Sequence, residues 1–230
     1  MFGGLFRGVC LARYGLRRAI LNGVVATGLL ASPVLAEPVT VAALGDSLTQ
    51  GFGLPPEDGL VPQLQRWLDA RGVEVTLINA GVSGDTTAGG LARIDWTLTE
   101  EVDAIILALG GNDVLRGIDP AEVRGNLDGI LTKVVPSGRP VLLVGTQAPQ
   151  NYGPAYKAAF DMLFSDLAEV HDTLFHPNLL TPLLEVEDRA AARRDFMQAD
   201  GLHPNAAGVA LIVEAIGPVV VDLVAASKSN

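Results

Sequence analysis

Two textures alternate along the chain after residue 38. Short runs are apolar at nearly every position: Val39 to Leu44, Ala104 to Leu109 and Pro140 to Val144. Such runs suit strands buried on both faces of a parallel sheet better than half-exposed ones. Between them, apolar residues recur every three or four positions, as in Leu60, Val61, Leu64, Trp67 and Leu68. That spacing predicts a helix over 58–71, stopped by Gly72, with Trp67 as its core anchor. A second strand is expected over 73–78 and a helix over 86–98 capped by Asp85. Further helices are expected from Asp119-Pro120 to about Val135 and from Tyr156 to Val170, and a short fifth strand over 173–175. The segment 179–194 reads as a loop plus a short helix. Pro204 to about Val224 reads as a closing amphipathic helix with proline in its first turn. Strands alternating with helices imply a parallel sheet covered on both faces, a three-layer α/β/α sandwich.

The first 36 residues have a different character. Arg7, Arg13, Arg17 and Arg18 form a basic leader, Ala19 to Ala31 is largely apolar, and Val34 and Ala36 stand at the minus-three and minus-one positions. That is the layout of a secretory signal peptide over 1–36, cleaved after Ala36, with one domain over 37–230 and an exported, periplasmic or secreted product. Its apolar run is shorter than the roughly 20 residues of a membrane span. No later apolar run reads as long enough either, so no stable membrane insertion is expected.

Four of the 16 basic residues and none of the 26 acidic ones precede Glu37, leaving 12 against 26 and a net charge of −14. Such a surface disfavours nucleic acid and anionic headgroups as partners. The one cysteine, Cys10, leaves with the leader, so disulfides, thiol nucleophiles and thiolate metal sites are excluded from the mature chain.

Three strands empty into small-residue loops: Gly45-Asp-Ser47, Gly81-Val-Ser-Gly84 and Gly110-Gly-Asn112. In open α/β sheets, ligands bind at the carboxyl ends of strands. Glycines there admit either a phosphate or an oxyanion hole beside a nucleophile. No phosphate-loop or dinucleotide pattern is present. Ser47 is then either a nucleophile or a helix cap. A nucleophilic serine needs a base and an orienter for that base. Of three histidines, His171 reads as solvent-facing and His176, before Pro177, as structural. His203 lies in Asp200-Gly-Leu-His-Pro204, where a tight turn would bring Asp200 within reach of its ring. Alternatively, Asp200 and His203 merely decorate a helix start. Asp46, Asp85 and Asp113 read as loop or cap residues bonding nearby backbone N–H groups, with no metal or other cofactor required.

Taken together, these blocks resemble the GDSL, or SGNH, hydrolases from Val39 to about Val220. Gly45-Asp-Ser-Leu48, Gly84 in Ser-Gly-Asp-Thr, Asn112 in Gly-Gly-Asn-Asp and Asp200-x-x-His203 match the family's four landmarks. The loops look most like the exported thioesterase/lysophospholipase/arylesterase branch. The resemblance implies a flavodoxin-like sheet, with Ser47 as nucleophile, His203 as base and Asp200 as its orienter. It also implies an oxyanion hole of the Ser47 and Gly84 N–H groups and the Asn112 amide. A small-molecule acyl ester or thioester is the expected substrate and a monomer the expected state. Val114, Leu115, Ile118, Pro149 and Tyr152, in the loops after the third and fourth strands, are expected to wall an acyl groove. Two rivals remain at this point: an O-acetyl esterase acting on sugars, and a non-catalytic exported binding protein on the same scaffold.

Overall fold

A computed structural model of the chain describes residues 38–229. The leader, its cleavage point and the boundary before residue 37 lie outside the described residues. Five parallel strands form one sheet in the order β2-β1-β3-β4-β5. They are β1 (Val39–Gly45), β2 (Val75–Gly81), β3 (Ala104–Ala108), β4 (Val141–Val144) and β5 (Leu174–His176).

The sheet shows why β1, β3 and β4 are apolar at every position. Successive side chains point to opposite faces. Val41, Ala43, Ala104, Ile106, Leu142 and Val144 enter one core, and Ala42, Leu44, Ile105, Leu107, Val141 and Leu143 enter the other. The first core is closed by α2 (Leu60–Asp69) and α9 (Ala206–Ser227), the second by α3 (Thr87–Thr97), α5 (Pro120–Val134) and α6 (Pro154–Val170). Both faces therefore need apolar partners. Truncating a fully buried member such as Leu107 to alanine should cost about 2–5 kcal/mol.

Several boundaries differ from the sequence reading, each for a local reason. Residues 56–58 make a 3-10 turn, and α2 begins only at Leu60. Gly72 takes φ +69, and the Val73 N–H returns to the Leu68 carbonyl, so Val73 closes the helix and β2 starts at Val75. Helix α3 is capped by Thr86, not Asp85: the Thr86 hydroxyl accepts from the Gly89 N–H at 3.4 Å. Asn205, not Pro204, opens α9, its side chain accepting from the Gly208 N–H at 3.0 Å, and the proline inside that helix is Pro218. The undecided 179–194 segment contains α7 (Thr181–Leu184) and α8 (Arg189–Phe196).

Helix α9 also corrects the view that no later stretch could span a bilayer. Its 22 residues and mean hydropathy of 2.2 suffice for that by length and composition. Here Val209, Ile212, Val213, Ile216, Val220 and Leu223 are buried in the first core. Trp67 is only half-buried: it lies against Gly217 of α9 while the Arg71 guanidinium stacks 3.5 Å from its ring centroid.

Candidate active site

The sheet order reverses direction between β1 and β3, leaving a crevice at their carboxyl ends, the usual address for a ligand in such sheets. Ser47 follows β1 as the first residue of the short helix α1 (Ser47–Gln50), and Asn112 follows β3 in α4 (Gly111–Leu115). Gly45 and Gly81 let α1 sit directly on the strand ends. A Cβ on Gly45 would collide with Thr49, and one on Gly81 with the Gln50 backbone.

Asp200 and His203 arrive from the far end of the chain on the tip of a small hairpin. Met197 bridges Pro204, and the Gln198 N–H donates to the His203 carbonyl at 2.8 Å. At the tip, one Asp200 oxygen accepts from the backbone N–H of Leu202 (2.9 Å) and of His203 (3.0 Å). The other lies 2.7 Å from His203 Nδ1, and His203 Nε2 lies 2.9 Å from Ser47 Oγ. The His203 ring bond, with help from the two backbone N–H groups, holds the Asp200 carboxyl well below the usual carboxylate range. An ionised Asp200 accepts from Nδ1–H, which leaves the Nε2 lone pair for the serine hydroxyl. The hydroxyl, the imidazole and the carboxylate thus form one continuous chain.

Ser47, Gly84 and Asn112 line the same cleft. Gly84 sits at φ +80, where a side chain would be strained although its Cβ would meet only the Arg116 guanidinium, at ordinary contact distance. The Asn112 amide nitrogen donates to Asp46 Oδ2 at 3.3 Å, which fixes its orientation and leaves its second N–H free to turn toward the cleft. Asp46 is itself buried and accepts from the Leu48 N–H at 3.0 Å; burial pushes its carboxyl up.

The other two aspartates have different jobs. Asp113 is fully buried and accepts from both the N–H (2.9 Å) and the hydroxyl (2.6 Å) of Thr87, joining the β3 loop to the start of α3. Asp85 accepts from Arg93 Nε at 2.7 Å rather than capping a helix. Arg93 also donates to the Ala80 carbonyl (2.7 Å) and the Gly45 carbonyl (3.0 Å), binding together the ends of β1 and β2 and the loop after Gly84. Nothing in its helical position marked Arg93 in the sequence. His171 is not solvent-facing: its ring is largely covered and Nε2 meets Asp128 Oδ1 at 2.7 Å. His176 stands outside the cleft, and burial pushes its pKa down. Among the described residues no group of His, Cys, Asp and Glu could hold a metal ion.

The cleft holds about 370 Å³, and most of its wall is apolar. Val114, Leu115 and Pro149 line it as expected. Ile118 and Tyr152 do not. Ile118 packs into the second core, and Tyr152 sits behind the loop, against Gly117, donating to the Leu115 carbonyl at 3.2 Å. The wall is completed by Leu48, Phe52, Leu180 and Leu202, which sequence reasoning missed. Phe52 packs its ring 4.7 Å from that of His203. Only the Phe52 position, five residues after Ser47 and exposed on a glycine-rich turn, offered a sequence signal.

A parallel three-layer α/β sandwich with a Ser-His-Asp chain at its switch point defines a serine hydrolase outside the G-x-S-x-G elbow class. Residues 43–211, more than half of the chain, match the model of the GDSL-like lipase/acylhydrolase family. The chain belongs to that family and is a carboxylic ester hydrolase of the GDSL type. Over 180 residues it is 39% identical to esterase TesA of Pseudomonas aeruginosa, an alignment covering 78% of this chain and 86% of that protein. It is 32% identical over 168 residues to thioesterase 1/protease 1/lysophospholipase L1 of Escherichia coli K12, covering 72% and 76% of the two chains. The crystal structure of AlinE4, an SGNH-hydrolase family esterase, is 39% identical, with a TM-score of 0.66 over 82% of this chain and 97% of that one.

Proposed function

We propose that the protein hydrolyses esters and thioesters of apolar acyl groups through an acyl-enzyme on Ser47, and that it does so after export. The observation that carries this reading is the 2.9 Å and 2.7 Å chain from Ser47 through His203 to Asp200, with Ser47 and His203 lining a mostly apolar cleft. Ser47 Oγ attacks the acyl carbonyl while His203 Nε2 takes its proton. Asp200 stabilises the imidazolium that forms. The carbonyl oxygen, now negative, is met by the Ser47 and Gly84 N–H groups and the Asn112 amide; losing one such donor typically costs on the order of 10²–10³ in turnover. The tetrahedral centre collapses as His203 returns the proton to the leaving oxygen or sulfur. Water, deprotonated by His203, then attacks the acyl-enzyme and releases the acid and free Ser47.

Relatives named as an esterase and as a thioesterase/lysophospholipase support this substrate range. Export rests on the basic leader, apolar run and small residues before the expected cleavage point in residues 1–36. The apolar wall favours an acyl chain over a sugar O-acetyl group. Burying each added methylene should contribute up to about 0.8 kcal/mol, a few-fold in specificity. A serine-directed fluorophosphonate should label Ser47 alone, and kcat/KM should rise along a two- to twelve-carbon ester series, then level or fall when the cleft is full. Full activity in Ser47→Ala, or acetyl as the best acyl group, defeats the reading.

A further inference from the structure

A second pocket opens behind the Asp200–His203 hairpin. It holds about 270 Å³, and Leu180, Leu183, Leu184 and Met197 give it apolar walls while Arg189 and Arg193 supply charge. Leu180 also lines the active-site cleft, so the two spaces share a wall residue. Gly201, two residues before His203, forms part of the pocket, and the Arg193 guanidinium lies against it.

The charge there is unusual for this chain. Most cations elsewhere are committed: Arg71, Arg93, Arg124, Lys133, Lys157 and Arg194 to carboxylates. Arg116 and Arg139 are held by backbone carbonyls. Among the described residues only Arg66, Arg189, Arg193 and Lys228 have side chains with no hydrogen-bond or ion-pair partner. Two of these stand one turn apart on α8, and both face the pocket beside the active site. In a chain with 26 acidic residues, two guanidinium groups left unpaired while carboxylates are abundant point to a ligand that brings its own negative charge.

Chemistry places that ligand on the leaving-group side. His203 Nε2 must hand its proton to the departing atom, so in the serine-esterase reading the alcohol or thiol lies against His203, next in the chain to Leu202 of the cleft and Gly201 of the second pocket. In that reading the acyl chain takes the part of the cleft lined by Val114, Leu115 and Pro149. We propose that Arg189 and Arg193 form a subsite for leaving groups carrying a phosphate monoester or a carboxylate, with Leu180 and Met197 covering the carbon atoms between. This rests on the serine-esterase reading above and adds to it which alcohols the enzyme prefers.

A matched pair of substrates tests it: 1-octanoylglycerol 3-phosphate and 1-octanoylglycerol, assayed below their aggregation concentrations. The wild type should favour the phosphate-bearing ester in kcat/KM. In Arg189→Gln/Arg193→Gln the ratio of the two kcat/KM values should fall about tenfold, through KM rather than kcat. Raising the salt should erode the preference in the wild type and leave the double variant nearly unaffected. Inorganic phosphate should compete with the phosphate-bearing ester. If it instead lowers kcat on the neutral ester, the pocket is an effector site and the proposal falls. It falls equally if the wild type shows no preference, or if the double variant keeps it. Ser47→Ala separates the two readings: full turnover of the neutral ester there sinks the serine-esterase reading itself, whereas a retained ratio in the arginine variant sinks only the subsite.

Discussion

Asn112 reaches across the crevice between β1 and β3 to donate its amide to Asp46, the residue immediately before Ser47. The bond joins the loop bearing the serine to the loop bearing a proposed oxyanion donor. Asn112→Ala should therefore lower kcat on the order of 10²–10³ while KM changes little, because the lost bond strengthens only as charge develops on the oxygen. Steady-state kinetics on one aryl ester decides this; a change confined to KM would make Asn112 a substrate contact.

Asp46 predicts a pH signature in stability. Burial raises its carboxyl above the unfolded value, so the folded protein binds more protons than the unfolded chain across that window. Its contribution is therefore complete at low pH and is lost as pH rises from about 3.8 through the raised folded value. In Asp46→Asn that loss disappears, so the variant's stability relative to wild type should climb with pH over the window and then level off. Urea unfolding from pH 3 to 7 measures it, and a pH-independent difference would contradict the assignment. The same variant should lose turnover, since the Asn112 amide no longer meets a carboxylate.

Asp200 has the opposite sign. Its carboxyl is held low, so its contribution is present above the unfolded value of 3.8 and is lost only as pH falls toward the folded one. Above that value it stays ionised, so the His203 ring keeps an anionic partner. Asp200→Asn should lower kcat by up to about 10⁴ through loss of the correct tautomer. His171→Ala and His176→Ala should leave kcat nearly intact. A comparable loss in either would move the base away from His203.

Arg93 predicts a positioning effect. Its guanidinium ties the Gly45 and Ala80 carbonyls to Asp85, the residue after Gly84. Arg93→Lys keeps the charge but cannot make all three bonds. With the Gly84 and Ser47 N–H groups loosened relative to each other, kcat should drop about 10- to 100-fold. Affinity for an aryl boronic acid, a tetrahedral mimic, should fall with it while KM holds. Asp95→Asn, which breaks the exposed Lys133 pair on the same helix, should leave kcat intact. Equal effects from the two variants would mean that Arg93 acts only through stability.

Much of this protein was legible before its fold. The order of strands and helices followed from periodicity, because a run apolar at every position must be covered on both faces whatever covers it. Ser47, Asp200 and His203 stood out because glycine-rich turns after buried strands, and an Asp-x-x-His turn, are local features. Boundaries slipped where capping outweighed periodicity: Thr86 for Asp85, Asn205 for Pro204, and the Gly72 turn that withdrew Val73 from β2. Long-range pairings were not legible at all. The Arg93 clamp, the Asp113–Thr87 bond, the Asp128 partner of His171 and the Leu180 wall shared by two pockets each join residues from separate elements. Their approach is set by how the crossovers pack helices on the sheet, and a side chain's own neighbours in sequence carry no record of that distance. Local chemistry thus determined which residues could act, and tertiary packing decided which of them meet.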